Sequence, residues 1–170
     1  MTLPNRRRDL RQDEGFTLIE LLIVMSIIII IATFAIPNIT RIKRQGNETS
    51  AIQSIRAIVA AQLQYQQTYP ANGYACSLAA LGGDKSATPS PAAAGLLPAD
   101  LASGNKAGYT FSIVNCNKVT INNQDQYTSY EITAVPQKVG NTGDRGFCSD
   151  DSQQVKYDPK GGTACTQPIQ

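Results

Sequence analysis

The chain contains no histidine and no tryptophan. Without histidine it lacks the commonest general base near neutral pH and the commonest imidazole ligand for zinc. No Ser-His-Asp constellation can therefore be built, and no glycine-rich phosphate loop follows a strand pattern. An excess of either charge is missing too: 15 Lys+Arg against 13 Asp+Glu leave a net charge of +2. So even a balance gives no electrostatic reason for strong nucleic-acid binding, and no nucleic-acid partner is predicted. Close CxxC pairs of the zinc-ribbon kind are absent. Asp150, Asp151 and Asp158 are oxygen donors in principle, but no EF-hand loop surrounds them, and they read as a solvated acidic turn. These absences predict no enzyme, no catalytic residue, no cofactor and no bound metal.

What is present begins with a long apolar run, Phe16 to Ile36, of 21 residues. As a helix it would span roughly 31 Å, about the hydrocarbon thickness of a bilayer. One ionisable residue, Glu20, lies inside it. A carboxylate at mid-membrane costs on the order of 2.5–3.5 kcal/mol on insertion scales, so its presence asks for a reason. Proximity to the membrane surface would explain tolerance of the charge, but not its place beside Gly15-Phe16. Ahead of the run stand Arg6, Arg7, Arg8 and Arg11. Their charge keeps this end in the cytoplasm and sends the C-terminal residues across the membrane. A secretory signal peptide would have a shorter apolar part, of about 7–15 residues. Its best cleavage site here, Thr33-Phe34-Ala35, is mediocre. Cys76, Cys116, Cys148 and Cys165 all follow the run. In an exported domain an even count predicts two disulfides, with three pairings open.

The basic leader, then Gly15-Phe16-Thr17-Leu18-Ile19-Glu20-Leu21, then the apolar helix, resembles the N-terminal signal of type IV pilins and the pseudopilins of type II secretion. The likeness is strong over about the first 40 residues and elsewhere rests on general layout. It implies cleavage between Gly15 and Phe16 by a prepilin peptidase/methyltransferase on the cytoplasmic face, then N-methylation of Phe16. A residue without a side chain at Gly15 suits close approach of a protease to the backbone. The cut creates an α-amino group at Phe16, whose charge can pair with Glu20 in a low-dielectric bundle where a lone carboxylate would be penalised. The resemblance places that pair between neighbouring subunits; four residues also make one helical turn, which leaves a pair within one chain open.

The resemblance further implies a helical homopolymer built by inner-membrane assembly machinery. Subunits would wait in the lipid bilayer of a bacterial inner membrane and end in a cell-surface pilus. Twitching motility, adhesion and DNA uptake are the roles it implies. The leading expectation is a structural pilus subunit, with a major pseudopilin or a minor pilin binding DNA or a surface as alternatives. Pseudopilins usually carry a tryptophan motif before an acidic calcium loop, and this chain has no tryptophan.

The expected organisation is a cleaved leader over 1–15, an assembly helix over 16–37, an amphipathic continuation over 38–69, a connecting loop over 70–108, and a sheet with a C-terminal loop over 109–170. Ile52, Ile55, Ile58, Val59 and Leu63 recur at spacings of three and four, an apolar stripe for packing against a domain. Gln53, Ser54, Arg56, Gln62 and Gln66 would form the wetted face. One helix from about Phe16 to Tyr69 follows, irregular near Pro37 and Gly46; the resemblance gives Pro37 a part in assembly, by local melting, where a fixed kink is the alternative.

Prolines and glycines punctuate 70–108, with short helices expected at Ser77–Leu81 and near Pro98–Ser103. Tyr109–Val114 and Tyr130–Val135 read as strands, Lys118–Asn122 as a shorter one, and Arg145–Ser149 with Gln153–Tyr157 as a hairpin. The fold class is α+β: a long N-terminal helix packed on an antiparallel sheet, a pilin-like layout. Pilins commonly pin a C-terminal loop, which implies the pair Cys148–Cys165 and with it Cys76–Cys116. Asn38-Ile39-Thr40 and Asn47-Glu48-Thr49 match the glycosylation sequon by chance, and the tyrosines are read as packing residues.

Overall fold

The computed structural model describes residues 15–84, 87–121 and 123–169; of residues 34–37 it describes the backbone and not the side chains. Residues 1–14 of the expected leader and the last residue of the third expected strand, Asn122, lie outside the described residues. The chain divides between Ile39 and Thr40 into two units.

Helix α1 is assigned without interruption over Leu18–Thr68 and passes Gly46 as helix. Among the described residues no single helix is long and apolar enough to cross a membrane; Leu18–Thr33 and Asn38–Thr68 pass that test only as an interrupted pair. The remaining elements are α2 (Leu78–Leu81), α3 (Ala99–Ala102), β1 (Asn105–Lys106), β2 (Tyr109–Ile121), β3 (Gln124–Pro136), β4 (Gly146–Asp150), β5 (Val155–Asp158) and β6 (Gln167–Pro168). The six strands form one sheet in sequence order, every neighbour antiparallel. The fold is α+β, a long N-terminal helix on a six-stranded antiparallel sheet.

In the second unit the helix lays Ala51, Ile55, Ile58, Val59 and Tyr65 into a core shared with Tyr109 and Phe111 of β2, Tyr130, Ile132 and Ala134 of β3, and Phe147 of β4. On β2 and β3 these residues alternate, as strands with one face turned to the core require. The registers Phe111↔Ala134, Ile113↔Ile132 and Ala134↔Phe147 put them in adjacent rows.

Two residues expected on the wetted face are buried instead, Ser54 and Gln62. Gln62 is fully buried because its amide donates to the Ala75 carbonyl at 2.7 Å and accepts from the Ala75 N–H at 2.8 Å. Periodicity treats glutamine as polar and has no view of a backbone segment arriving to satisfy both ends of its amide. Leu63, assigned to the apolar stripe, is only half-buried.

Residues expected as connecting loop hold α2, α3 and β1. Ser77 caps α2, its hydroxyl accepting from the Ala80 N–H at 3.2 Å. Lys118 to Ile121 is not a separate strand but the continuation of β2, past an irregularity where Asn115 sits at φ 50°. A bulge lets one strand change course without ending, and asparagine tolerates that conformation.

Disulfides join Cys76 to Cys116 and Cys148 to Cys165. The first ties the segment after α1 to the outer part of β2. The second holds the C-terminal segment over β4, whose residues Gly146 to Ser149 are buried. That segment lies so close that a Cβ on Gly146 would overlap the Gly162 carbonyl oxygen.

Candidate functional site: the N-terminal assembly segment

Gly15 lies in open space, with nothing within 4 Å of where a Cβ would stand, and Phe16 is 86% exposed. The peptide bond between them is therefore unobstructed by the described chain. Thr17 precedes the first residue of α1 and acts as its N-cap. Its hydroxyl oxygen accepts from the Glu20 N–H at 3.3 Å, and the same hydroxyl faces the Glu20 carboxylate, Oγ1 to Oε2, at 3.5 Å. The Thr17 hydroxyl thus satisfies one of the free N–H groups of the first turn, as an N-cap does, and its own proton faces the acid three positions on. The acid also lies at the positive end of the helix dipole.

Thr17 is the site residue that the sequence reading passed over. The T-x-x-E spacing was its visible signal.

Farther along the run the hydroxyls are satisfied internally. Ser26 donates to the Leu22 carbonyl at 2.8 Å, and Thr33 donates to the Ile29 carbonyl at 2.9 Å. Such bonds to the preceding turn leave no unpaired donor on the helix surface. From Leu18 to Ile31 the large apolar side chains stay at least half exposed. Glu20 is thus the one formal charge on a long uncovered apolar surface.

Of the residues picked out in the sequence, Gly15 and Phe16 directly precede α1 and Glu20 lies in its first turn. The Pro37 side chain lies outside the described residues. The four cysteines belong to the second unit and take no part in this segment. Among the described residues no group of His, Cys, Asp and Glu is placed to hold a metal ion. Asp150 accepts from the Ser152 N–H at 3.0 Å and faces Lys156; Asp158 accepts from the Lys160 N–H at 2.9 Å and the Ala164 N–H at 3.3 Å. These carboxylates organise turns. The Ser152 hydroxyl bond is the main reason the Asp150 carboxyl is held below the usual carboxylate range.

The second unit also has a clamp that the sequence did not announce. Glu48 is buried, and its carboxylate accepts from the Asp144 N–H at 2.9 Å, the Arg145 N–H at 3.2 Å and the Arg145 guanidinium at 2.7 and 2.9 Å. Arg44 donates to both Asp144 oxygens at 2.8 and 3.0 Å, and the Asn47 amide donates to the Thr142 carbonyl at 2.8 Å. One helical turn thereby fixes the loop between β3 and β4.

A capped helix carrying one carboxylate on a bare apolar surface, in a chain with a separate disulfide-bonded α+β unit, defines a class: proteins whose N-terminal helix must be covered by lipid or by other helices. Comparison with known proteins places the segment within that class. Residues 10–36 match the family model of the prokaryotic N-terminal methylation motif. Over 72 residues, 42% of this chain and 53% of the relative, the sequence is 40% identical to the type IV wide pilus major component PilA4 of Thermus thermophilus. Over 54 residues, 32% of this chain and 24% of the relative, it is 39% identical to the type IV major pilin protein PilA of Myxococcus xanthus. The chain thus spans about half the length of the first relative and about a quarter of the second. No solved structure matches it. In its N-terminal segment the chain is similar to type IV pilins and matches the methylation motif.

Proposed function

We propose that this chain is a structural subunit of a type IV pilus. It is made as a precursor anchored in the bacterial inner membrane, cut between Gly15 and Phe16 by a prepilin peptidase that also methylates Phe16, and polymerised through α1. The carrying observation is Glu20, a single carboxylate on an uncovered apolar helix, one turn from the backbone position where cleavage would create a positive charge. Burying that surface among neighbouring helices gains roughly 25 cal/mol per Å² if it would otherwise meet water, and little if it leaves lipid. Assembly from a membrane therefore needs something besides apolar burial. Pairing of Glu20 with a Phe16 α-amino group supplies direction and register, because an unpaired carboxylate in the same bundle is penalised.

The partners on this reading are further copies of the chain, the peptidase, the inner-membrane assembly machinery and, before assembly, lipid. The names of the two relatives, both pilus components, favour a pilus over a secretion pseudopilus.

The test is Glu20→Ala in the producing cell. Surface filaments should be lost while the processed chain persists in the membrane fraction. Filaments at the wild-type level would refute the role given to Glu20.

A further inference from the structure

We propose that Arg41 and Lys43 form an anchor for anionic lipid headgroups, holding phosphate groups of the bilayer surface at the outer end of the apolar run. The proposal rests on the reading above, in which the run lies in a membrane before assembly.

Between Glu20 and Glu48 the sequence has no acidic residue, and its only charges are Arg41, Lys43 and Arg44. Arg44 is already committed to Asp144. Arg41 and Lys43 are exposed, and none of the described ion pairs or side-chain hydrogen bonds engages either of them. By contrast Arg145, Lys106, Lys118 and Lys156 each have a carboxylate partner.

Ile42 stands between the two free cations and is 67% exposed. A bare isoleucine flanked by unpaired cations suits the boundary where acyl chains meet headgroups, with the apolar side chain inward and long basic ones reaching to phosphate.

Chain length puts Arg41 within the headgroup layer and Lys43 just past it, within reach of its long side chain. Arg41 and Lys43 follow Ile36 by five and seven residues, about 7.5 and 10.5 Å along a helix. The headgroup layer on one side of a bilayer is roughly 5–8 Å thick. Arg56, also without a carboxylate partner, follows 13 residues after Lys43, which is about 20 Å farther along a helix and beyond that layer.

Processing makes the pair matter more. Removal of the leader takes Arg6, Arg7, Arg8 and Arg11 with it. The basic side chains left beside the run are then those on its outer side, and they resist its displacement along the membrane normal.

The experiment reconstitutes the full chain into phosphatidylcholine vesicles with or without phosphatidylglycerol. A brief acetylation pulse is applied, and modification of Lys43 is compared by mass spectrometry with that of the exposed Lys138. Phosphatidylglycerol should slow Lys43 relative to Lys138 roughly fivefold, the effect of one basic residue at an anionic surface. High salt should abolish the protection, and Arg41→Gln should weaken it. Inorganic phosphate added to pure phosphatidylcholine vesicles should give none. Equal rates in both vesicle types, or the same protection from free phosphate, would overturn the proposal. Vesicle flotation separates the two levels: a chain that floats with Lys43 unprotected refutes the anchor alone, and one that does not float refutes the membrane reading as well.

Discussion

Leu21, Ile23, Ile28 and Ile31 are each more than half exposed, whereas Ile55, Ile58 and Tyr65, farther along α1, are buried. The named residues differ little in type, so the hydrophobicity of the single side chain does not separate them. The partner does. The later region finds a sheet made by its own chain, with Tyr109, Ile132 and Phe147 facing it. The earlier one stays exposed among the described residues. A residue's apolar character states that it needs cover; only the fold shows whether the chain supplies it.

Five variants would break or sharpen this contrast, all measured by denaturant unfolding of the full chain in detergent. The largest effect belongs to the self-covered region. Phe147→Ala removes a fully buried ring that packs 5.9 Å from Tyr109 and lies beneath the Arg145 guanidinium. It should destabilise the second unit by about 3–5 kcal/mol. The matching change Ile28→Ala should leave that transition within about 0.5 kcal/mol of wild type. Comparable losses from both would erase the distinction.

Next comes the C-terminal staple. Cys148→Ser with Cys165→Ser opens a loop of 17 residues and should cost about 3 kcal/mol in the chain-entropy model. A smaller loss follows from Glu48→Ala, which leaves two backbone N–H groups without their acceptor while Arg145 can turn to solvent; about 2 kcal/mol is expected.

The smallest effect is Tyr130→Phe. The Tyr130 hydroxyl is buried without a hydrogen-bond partner among the described residues, so its loss at neutral pH should change stability by less than about 0.5 kcal/mol. Its consequence lies in alkali. Burial first, and the nearby Tyr74 second, push the Tyr130 hydroxyl up to about 12. The neutral form is therefore favoured in the folded state. The associated stability is complete below the ordinary tyrosine value near 10 and is lost as pH rises from there toward about 12. Tyr109 is raised in the same sense, chiefly by burial. Tyr130→Phe should accordingly flatten the decline of stability above pH 10 without removing it, and an unchanged decline would contradict the assignment.

The N-terminal motif was legible in the sequence because its information is local. Gly15, Phe16 and Glu20 lie within six residues, and the apolar run needs no folding to be recognised. Tyr109–Val114 and Tyr130–Val135 were equally legible, since alternation of aromatic and β-branched residues is a short-range pattern. The continuation of β2 past Asn115 was hidden because a bulge breaks the alternation while the pairing goes on. Gln62 and Glu48 were hidden for a different reason. Their burial depends on partners 13 and 97 residues away, at Ala75 and Arg145, and no window along the chain contains both halves. Thr17 is local too: a threonine just ahead of an apolar helix is an N-cap pattern, and its hydroxyl accepts from the Glu20 N–H.

The central claim is that the exposed region becomes an assembly surface only after the chain is cut behind Gly15. Intact-mass and N-terminal analysis of this chain, recovered from sheared surface filaments, tests it most directly. The account predicts a chain beginning at Phe16 with a methylated α-amino group and both disulfides closed. Filaments whose subunits retain the leader, or begin at any other residue, would contradict it.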